Sequence, residues 1–442
     1  LAEKDINMTH STQHSGPQHL ERVLLVIVDH KKEQDGWPVE DIGHELKELI
    51  EDCRGEVVQT VYSRIDKITA SYYIGAGKAQ EIAALCAALT VDTVVFSQDL
   101  KGSQQRNLEE VIKAKTIDRT QLILDIFARH ATSREGKMQV ELAQLEYMLP
   151  RLVGSGIALS RLGGGIGTLG PGETKLEMDR RRIQTRITKL KRDLEAVTQD
   201  RALKRKKRKE RGLPSLSLVG YTNAGKSTLL NTLTQAGQLT RDGLFTTLDS
   251  LSRQLTLPNR QTLILSDTVG FMHDLPHHLI EAFKTTLEEV VQADILIHVL
   301  DISHTSYRKL YDAVDEVLKE LKAHEKPVIT VLNKVDCIED SSWVQEVQYL
   351  FQNPVVLSAK SGEGIPLLMT KLTEMLAELF EEVDLILPIN RMDLINLAHQ
   401  EGQVYSIKYY NDTIFLRAAL PARLAGKFRK ESLEDKERKE GV

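Results

Sequence analysis

The stretch Leu216-Ser-Leu-Val-Gly220-Tyr221-Thr222-Asn223-Ala224-Gly225-Lys226-Ser227-Thr228 decides how the chain is read. A short apolar run of strand length ends in a glycine loop, and an apolar-periodic helix follows at once, which is the setting of a phosphate-binding loop. Gly220 and Gly225 permit a tight loop with its N–H groups aimed inward, Lys226 reaches the outer phosphates of a nucleotide, and Ser227 offers a hydroxyl to Mg²⁺. The helix adds the positive end of its dipole. The bland alternative is an ordinary strand-turn-helix, so the weight falls on what lies downstream.

Asn333-Lys334-Val335-Asp336 follows an apolar strand, where loops at the carboxyl end of a parallel sheet gather ligands. Asp336, ionised, only accepts hydrogen bonds. Guanine presents two adjacent donors that a carboxylate takes together, whereas adenine has none at N1, and a buried carboxylate left unpaired rejects the wrong base. Asn333 serves the guanine acceptor edge, Lys334 lays its alkyl stem along the base, and Ser358-Ala359-Lys360 offers a backbone N–H to O6. Asp267-Thr268-Val269-Gly270 closes another strand: Asp267 holds Mg²⁺ through water, and the Gly270 N–H meets the γ-phosphate. Phe245-Thr246-Thr247-Leu248-Asp249 supplies a second switch, in which Thr247 adds its hydroxyl to Mg²⁺ and Thr246 is the competing choice. The expected GTP site is therefore residues 220–228, 245–249, 267–270, 333–336 and 358–360, with Lys226, Thr247 and Gly270 as catalytic residues.

The composition is that of a soluble globular protein, 41% hydrophobic and 27% charged over 442 residues, enough for two to four domains. No 18-residue apolar stretch and no basic-then-apolar leader is present, so a cytoplasmic protein is expected. Cys53, Cys86 and Cys337 have neither disulfide nor zinc-ligand spacing and are read as small hydrophobes. The net charge of −5 hides an asymmetry: Lys175 to Arg211 holds 16 Lys/Arg against 6 Asp/Glu, or +10, leaving −15 for the rest. One segment is suited to a polyanion.

In chain order, residues 1–19 read as a disordered tail, and 20–132 as a small α/β domain of alternating strands and helices. Within it Gly75-Ala-Gly77-Lys78 resembles half of a phosphate loop, but Tyr72 stands at the first glycine and Ala79 at the Ser/Thr, so a helix-capping turn is the better reading than a second nucleotide site. Residues 133–212 read as a helical hairpin with a basic linker. Its seam is Ile183, Ile187, Leu190, Leu194 and Val197, and its tip is the glycine-rich loop Gly154 to Gly172. Arg161, Lys175, Lys204, Arg205, Lys206, Lys207, Arg208 and Lys209 are the candidate RNA contacts, with a solvated charge run as the alternative. Pro214 opens the nucleotide domain, 213–383, and 384–442 forms an α+β domain with a charged tail from Lys430 that is expected to fray. The expected architecture is a P-loop GTPase domain, mostly parallel with helices on both faces, between these smaller parts.

On Tyr72-Tyr-Ile-Gly-Ala-Gly-Lys78, Ile117-Asp-Arg-Thr-Gln-Leu-Ile-Leu-Asp-Ile-Phe127, Gln139-Val-Glu-Leu-Ala-Gln-Leu145, Gly165-Ile-Gly-Thr-Leu-Gly-Pro-Gly-Glu173, Gly220 to Thr228 and Asp267-Thr-Val-Gly-Phe271, the chain resembles the HflX family of translation-factor-related GTPases. The likeness covers about residues 20 to 390 and is loose in the C-terminal domain. It implies a GTP-dependent factor whose N-terminal domain and hairpin dock on the large (50S) ribosomal subunit and its rRNA near the peptidyl-transferase centre, and which splits stalled ribosomes. A monomer, partly ribosome-associated, is expected. Phe271 stands where many GTPases carry a water-orienting Gln or His, so slow intrinsic hydrolysis is expected, with His273, His277 and His278 nearby. Asn223 occupies a position that coordinates K⁺ in some related GTPases, against simple loop geometry. The rival functional reading is an RNA-binding adaptor in which nucleotide is mainly structural.

Overall fold

The apolar run Val23 to Val28 forms the centre of strand β1 (Glu21–His30) and is buried throughout, as a strand covered on both faces must be. The computed structural model of the chain describes residues 20–30, 37–152, 175–210, 213–234, 245, 251–274, 276, 279, 283–340 and 342–433. It divides into two compact units, Leu1–Ile123 and Leu124–Val442. The finer five-part division read from the sequence stands beside this as a proposal.

In the first unit β1 is followed by α1 (Val39–Asp52), β2 (Gly55–Ile65), α2 (Ala76–Leu89), β3 (Thr93–Phe96), α3 (Gly102–Ile112) and β4 (Lys115–Asp118). The sheet is parallel, in the order β2-β1-β3-β4. Leu24, Val26 and Val28 point into one core with Ile82, Phe96 and Leu108. Strand β4 has no counterpart in the periodicity reading, because Thr116 and Asp118 are polar yet fully buried. Asp118 earns its burial: its carboxylate accepts the N–H groups of Leu100 at 3.1 Å and Gln121 at 2.9 Å. The second bond caps α4 (Arg119–His130). Gly75 is the N-cap residue of α2, and Lys78 pairs with Glu81 at 2.7 Å, in keeping with the capping-turn reading.

In the second unit α5 (Arg134–Met148) starts at Ser133, whose hydroxyl accepts the Gly136 N–H at 2.8 Å. It lies antiparallel to α6 (Lys175–Glu210), Glu135 meeting Arg201 near one end and Glu146 meeting Lys191 further along. Leu142 and Leu145 close on Ile187, Leu190 and Leu194, with Ile183 packed against them, which is the seam expected from the spacing. One expectation is corrected here. Lys204 to Lys209 form no linker but continue the 36-residue helix to Glu210, because Lys and Arg are good helix formers and the first breakers are Gly212 and Pro214. The glycine-rich stretch with Arg161, and the tail 1–19, lie outside the described residues.

The six-stranded sheet comes next: β5 (Ser215–Val219), α7 (Lys226–Thr234), β6 (Leu251–Thr256), β7 (Thr262–Asp267), α8 (Lys284–Gln292), β8 (Ile295–Asp301), α9 (Tyr307–Glu320), β9 (Val328–Asn333), α10 (Ser342–Val347), β10 (Pro354–Val356) and α11 (Ile365–Leu379). The order is β10-β9-β8-β5-β7-β6, parallel except for β6 against β7. Since β5, β7, β9 and β10 all run one way, the loops after them emerge at one edge of the sheet.

A three-stranded antiparallel sheet, β11-β13-β12, completes the unit: β11 (Phe380–Pro388), α12 (Met392–Glu401), β12 (Gln403–Tyr409), β13 (Thr413–Pro421) and α13 (Ala422–Glu431). β11 was not foreseen, and it starts before residue 384, directly behind α11 with no breaker between them. Val383, Leu385 and Leu387 alternate inward against Leu394, Leu416 and Phe428. Lys430 and Glu431, expected to fray, belong to α13, and Glu431 pairs with Arg391 at 2.5 Å.

Candidate functional site

The loop between β5 and α7 is shaped by close approaches that exclude side chains. A Cβ at Gly220, where φ is +152°, would meet the Val299 carbonyl oxygen at 2.3 Å, and one at Gly225, where φ is +96°, would meet Asn333 Nδ2 at 2.3 Å. Asn223 takes the left-handed φ of 58°, which Asn adopts more readily than most residues. Lys226 is buried and its ammonium donates to the carbonyls of Gly220 at 2.9 Å and Tyr221 at 2.6 Å. Loss of water lowers its pKa to about 8; Asp267 pulls the other way and Lys334 adds to the lowering. Beneath it His298 is buried and stacked on Tyr311 at 4.7 Å. Burial first, then the Lys226 charge, push the imidazole down to about 3, so it stays neutral.

Two of the three expected Mg²⁺ residues meet: Ser227 Oγ donates to Asp267 Oδ2 at 2.6 Å. Hydroxyl and carboxylate are the hard oxygen donors that Mg²⁺ takes. Among the described residues no group of three or more His, Cys, Asp or Glu could hold a metal by itself. Thr268 is buried and donates to the Leu218 carbonyl at 2.7 Å. A Cβ on Gly270 would lie 3.0 Å from Lys226 Nζ, which puts this glycine at the phosphate end. Phe271 N–H donates to the Gly220 carbonyl at 3.1 Å and Thr222 N–H to the Phe271 carbonyl at 2.8 Å, a short parallel bridge between the two loops. The Tyr221 hydroxyl accepts the His273 N–H at 2.9 Å. Phe271 is buried, and its ring has no atom to orient a water.

At the base end Asn333 spends both ends of its carboxamide on the protein: Nδ2 donates to the Ala224 carbonyl at 2.8 Å, and Oδ1 accepts the Ala359 N–H at 2.9 Å. The amide carries a second Nδ2 hydrogen, so the expected reading of the base edge stands beside these two bonds as a proposal. Lys334, at a φ of 66°, pairs with Asp301 at 2.6 Å. Asp301 was missed in sequence; its signal was the end of β8, among the strand ends where such loops gather. Asp336 is exposed. Hydrogen bonding from Ser358 holds its carboxyl below the ordinary range, with the Lys360 charge a smaller cause, so it is an acceptor alone. Thr232 on α7 donates to the Ala359 carbonyl at 2.7 Å, a second tie between the ends of the site.

Thr246, Thr247, Leu248, Asp249, His277 and His278 lie outside the described residues. Lys175 and Lys204 to Lys209 are placed only as helix backbone. Phe245 is described, and its ring is buried edge-to-face on Phe127 at 4.6 Å, which leaves its backbone alone for a nucleotide.

Two outcomes follow from these environments. Asp336→Asn replaces an acceptor pair by a donor and an acceptor, so GTP affinity falls by about 100-fold or more while a xanthosine nucleotide, which carries a carbonyl at C2, gains; retained preference for guanine in a competition titration contradicts the pairing. Lys226 sits below its ordinary 10.5, so its proton leaves as pH rises through about 8, and a bound phosphate would take it back. Nucleotide affinity therefore declines above that pH, and calorimetry at about pH 9 in buffers of different ionisation enthalpy shows proton uptake on binding GDP. Binding without uptake contradicts the buried cation.

Three family models match the chain: "GTP-binding GTPase N-terminal" over residues 40–128, "GTP-binding GTPase Middle Region" over 130–208, and "50S ribosome-binding GTPase" over 215–334. A protein named GTPase HflX from Lacrimispora saccharolytica is 45% identical over 91% of this chain and 94% of its own length. Another of that name from Alkalihalophilus pseudofirmus is 43% identical over 88% and 91%. Among solved structures, a GTP-binding protein from Sulfolobus solfataricus in complex with GDP is 24% identical, with 81% of this chain and 99% of that chain covered and a TM-score of 0.43. With identities of this size along nearly its whole length, and with a phosphate loop, strand ends and base loop arranged as above, the chain belongs to the HflX family of GTPases and hydrolyses GTP.

Proposed function

We propose that this GTPase is a nucleotide-driven switch that associates with the large (50S) ribosomal subunit and splits or rescues stalled ribosomes. The observation that carries the reading is the bridge between Phe271 and the phosphate loop. A γ-phosphate that draws the Gly270 N–H toward itself pulls on that bridge, and GDP does not, so the two nucleotides favour different positions of the segment beyond it. The ribosomal part of the reading is supported by the description of the matched GTPase model, which names 50S ribosome binding, and by the charge of α6. Six consecutive cations, Lys204 to Lys209, lie on a continuous helix rather than a loose linker. With Lys175 and Arg161 they are the proposed contacts to rRNA phosphates.

In the proposed site the N–H groups of residues 220–228 cradle the phosphates, and Lys226 turns its ammonium from the carbonyls of Gly220 and Tyr221 toward them. P-loop GTPases use Mg²⁺ in general, and it would supply positive charge against the phosphates. Ser227 and Thr247 would hold it directly and Asp267 through water. Asn333 fixes the loops, Asp336 takes the two guanine donors, and Ser358 to Lys360 close over the base edge. Since the Phe271 ring cannot orient water, catalysis by this chain alone rests on Lys226, Thr247 and Gly270 and is slow. Docking on RNA speeds it by ordering the switches. K⁺ near Asn223 would offset further charge, and turnover at equal rates in potassium and sodium buffers removes that ion from the proposal.

Co-sedimentation of the full chain with purified large subunits tests the switch. Pelleting is about tenfold greater with a GTP analogue than with GDP, and if six cations meet phosphates the affinity drops by about 10³ between 50 and 200 mM salt. Identical pelleting with both nucleotides identifies an adaptor in which nucleotide is structural.

A further inference from the structure

Thr222 stands within the phosphate loop, and the fold gives its side chain no polar partner. The residue is 6% exposed, and its hydroxyl oxygen is buried without a hydrogen bond among the described residues. Its neighbours in the loop are engaged or solvated: the Tyr221 hydroxyl accepts the His273 N–H, Lys226 donates to two carbonyls, Ser227 donates to Asp267, and Asn223 is exposed. Burying a hydroxyl without a partner costs free energy, so an exception of this kind calls for a reason.

The side chain lies at the phosphate end of the site. The position that a Cβ on Gly270 would take is 2.9 Å from both Cα and Cγ2 of Thr222 and 3.0 Å from Lys226 Nζ. The Thr222 side chain, the Gly270 backbone and the Lys226 ammonium therefore converge on one point. The methyl and hydroxyl of Thr222 are branches of a single carbon, so one rotation about Cα–Cβ brings the oxygen to the place where the methyl meets Gly270. The backbone is held during that rotation, because the Thr222 N–H donates to the Phe271 carbonyl at 2.8 Å and the Phe271 N–H to the Gly220 carbonyl at 3.1 Å. The hydrogen-bonding capacity that the Phe271 ring lacks is thus present directly across this bridge, on Thr222.

We infer that the Thr222 hydroxyl is a catalytic residue of GTP hydrolysis, aligning the attacking water with the γ-phosphate. Its oxygen accepts a hydrogen bond from the water, and its hydrogen donates to a γ-phosphate oxygen. The water oxygen bonds to the γ-phosphorus, the bond from that phosphorus to the bridging oxygen breaks with its electron pair staying on GDP, and the water's proton leaves with inorganic phosphate. Thr222 keeps its own proton throughout; it aligns the water and does not deprotonate it, in keeping with slow turnover by the chain alone. The inference rests on the proposed seating of the γ-phosphate between Lys226 and Gly270, which Lys226→Ala tests separately: unaltered affinity for GTP and GDP in that variant removes the seating, whatever Thr222 does.

The test uses the full chain with Thr222→Val, which keeps the branched shape and loses the hydroxyl, and Thr222→Ser, which keeps the hydroxyl. Single-turnover hydrolysis of GTP falls about tenfold or more in Thr222→Val, and Thr222→Ser recovers most of the loss. GDP affinity stays within about twofold in both, because GDP meets the backbone N–H groups of the loop, which either variant retains. Aluminium fluoride added with GDP mimics the transferring phosphoryl group, and its binding weakens in Thr222→Val by about the factor lost in turnover. Unchanged turnover in Thr222→Val, GDP affinity falling in step with turnover, Thr222→Ser as slow as Thr222→Val, or aluminium fluoride bound equally by Thr222→Val and the unaltered chain each overturn the inference. Should Thr222→Val fail to fold, Thr222→Ala carries the same measurements, with the same loss at constant GDP affinity expected and no loss overturning it.

Discussion

One carboxamide holds the nucleotide site in register. Asn333 is buried at the end of β9, gives a hydrogen bond to the Ala224 carbonyl in the phosphate loop, and takes one from the Ala359 N–H in the loop after β10. Buried peptide groups must find partners, and this side chain serves one of each kind at once, which fixes the spacing between the loop after β5 and the loop after β10. The absence of a Cβ at Gly225 follows from the same contact, since nothing larger fits beside Asn333 Nδ2. Thr232 repeats the tie from α7.

Around that frame the two ends of the site carry opposite electrostatics. Lys226 is a desolvated cation that donates to the carbonyls of Gly220 and Tyr221. Burying an ammonium this way is costly, and the depressed pKa expresses the cost; a bound polyphosphate would remove it, which makes the cradle selective for anions. The neighbouring His298 cannot add a second charge, because the same burial keeps it neutral. At the other end Asp336 is solvated and firmly ionised by Ser358. A guanine nucleotide, with donors on its base and negative charge on its phosphates, matches this polarity end to end.

The same economy governs the parts of the fold away from the nucleotide. The hairpin of α5 and α6 is closed by an apolar seam, with the more exposed ion pairs Arg186–Glu141 and Lys191–Glu146 at its rim contributing about 0–1 kcal/mol each. The strained Phe245 and its aromatic seat show a different use of burial: packing there holds a conformation and not only an element.

Periodicity and motif spacing by themselves determined the parallel sheet, the glycine loop between β5 and α7, the strand-end position of Asn333 to Asp336 and the hairpin seam, because each depends on residues close in sequence or on a repeat that the helix or strand geometry dictates. The resemblance to one family was likewise carried by contiguous runs. The short strand β4 and the edge strand β11 were not legible: the first buries polar residues through bonds made at a distance, and the second follows a helix with no breaker to announce it. Tertiary structure alone decided that Asn333 braces loops, that Lys334 pairs with Asp301, and that Phe127, Phe245 and Phe283 share a cluster. Those contacts join positions tens to more than a hundred residues apart, and no local pattern encodes which buried hydrogen-bonding group or which ring face will be left over for another segment to fill.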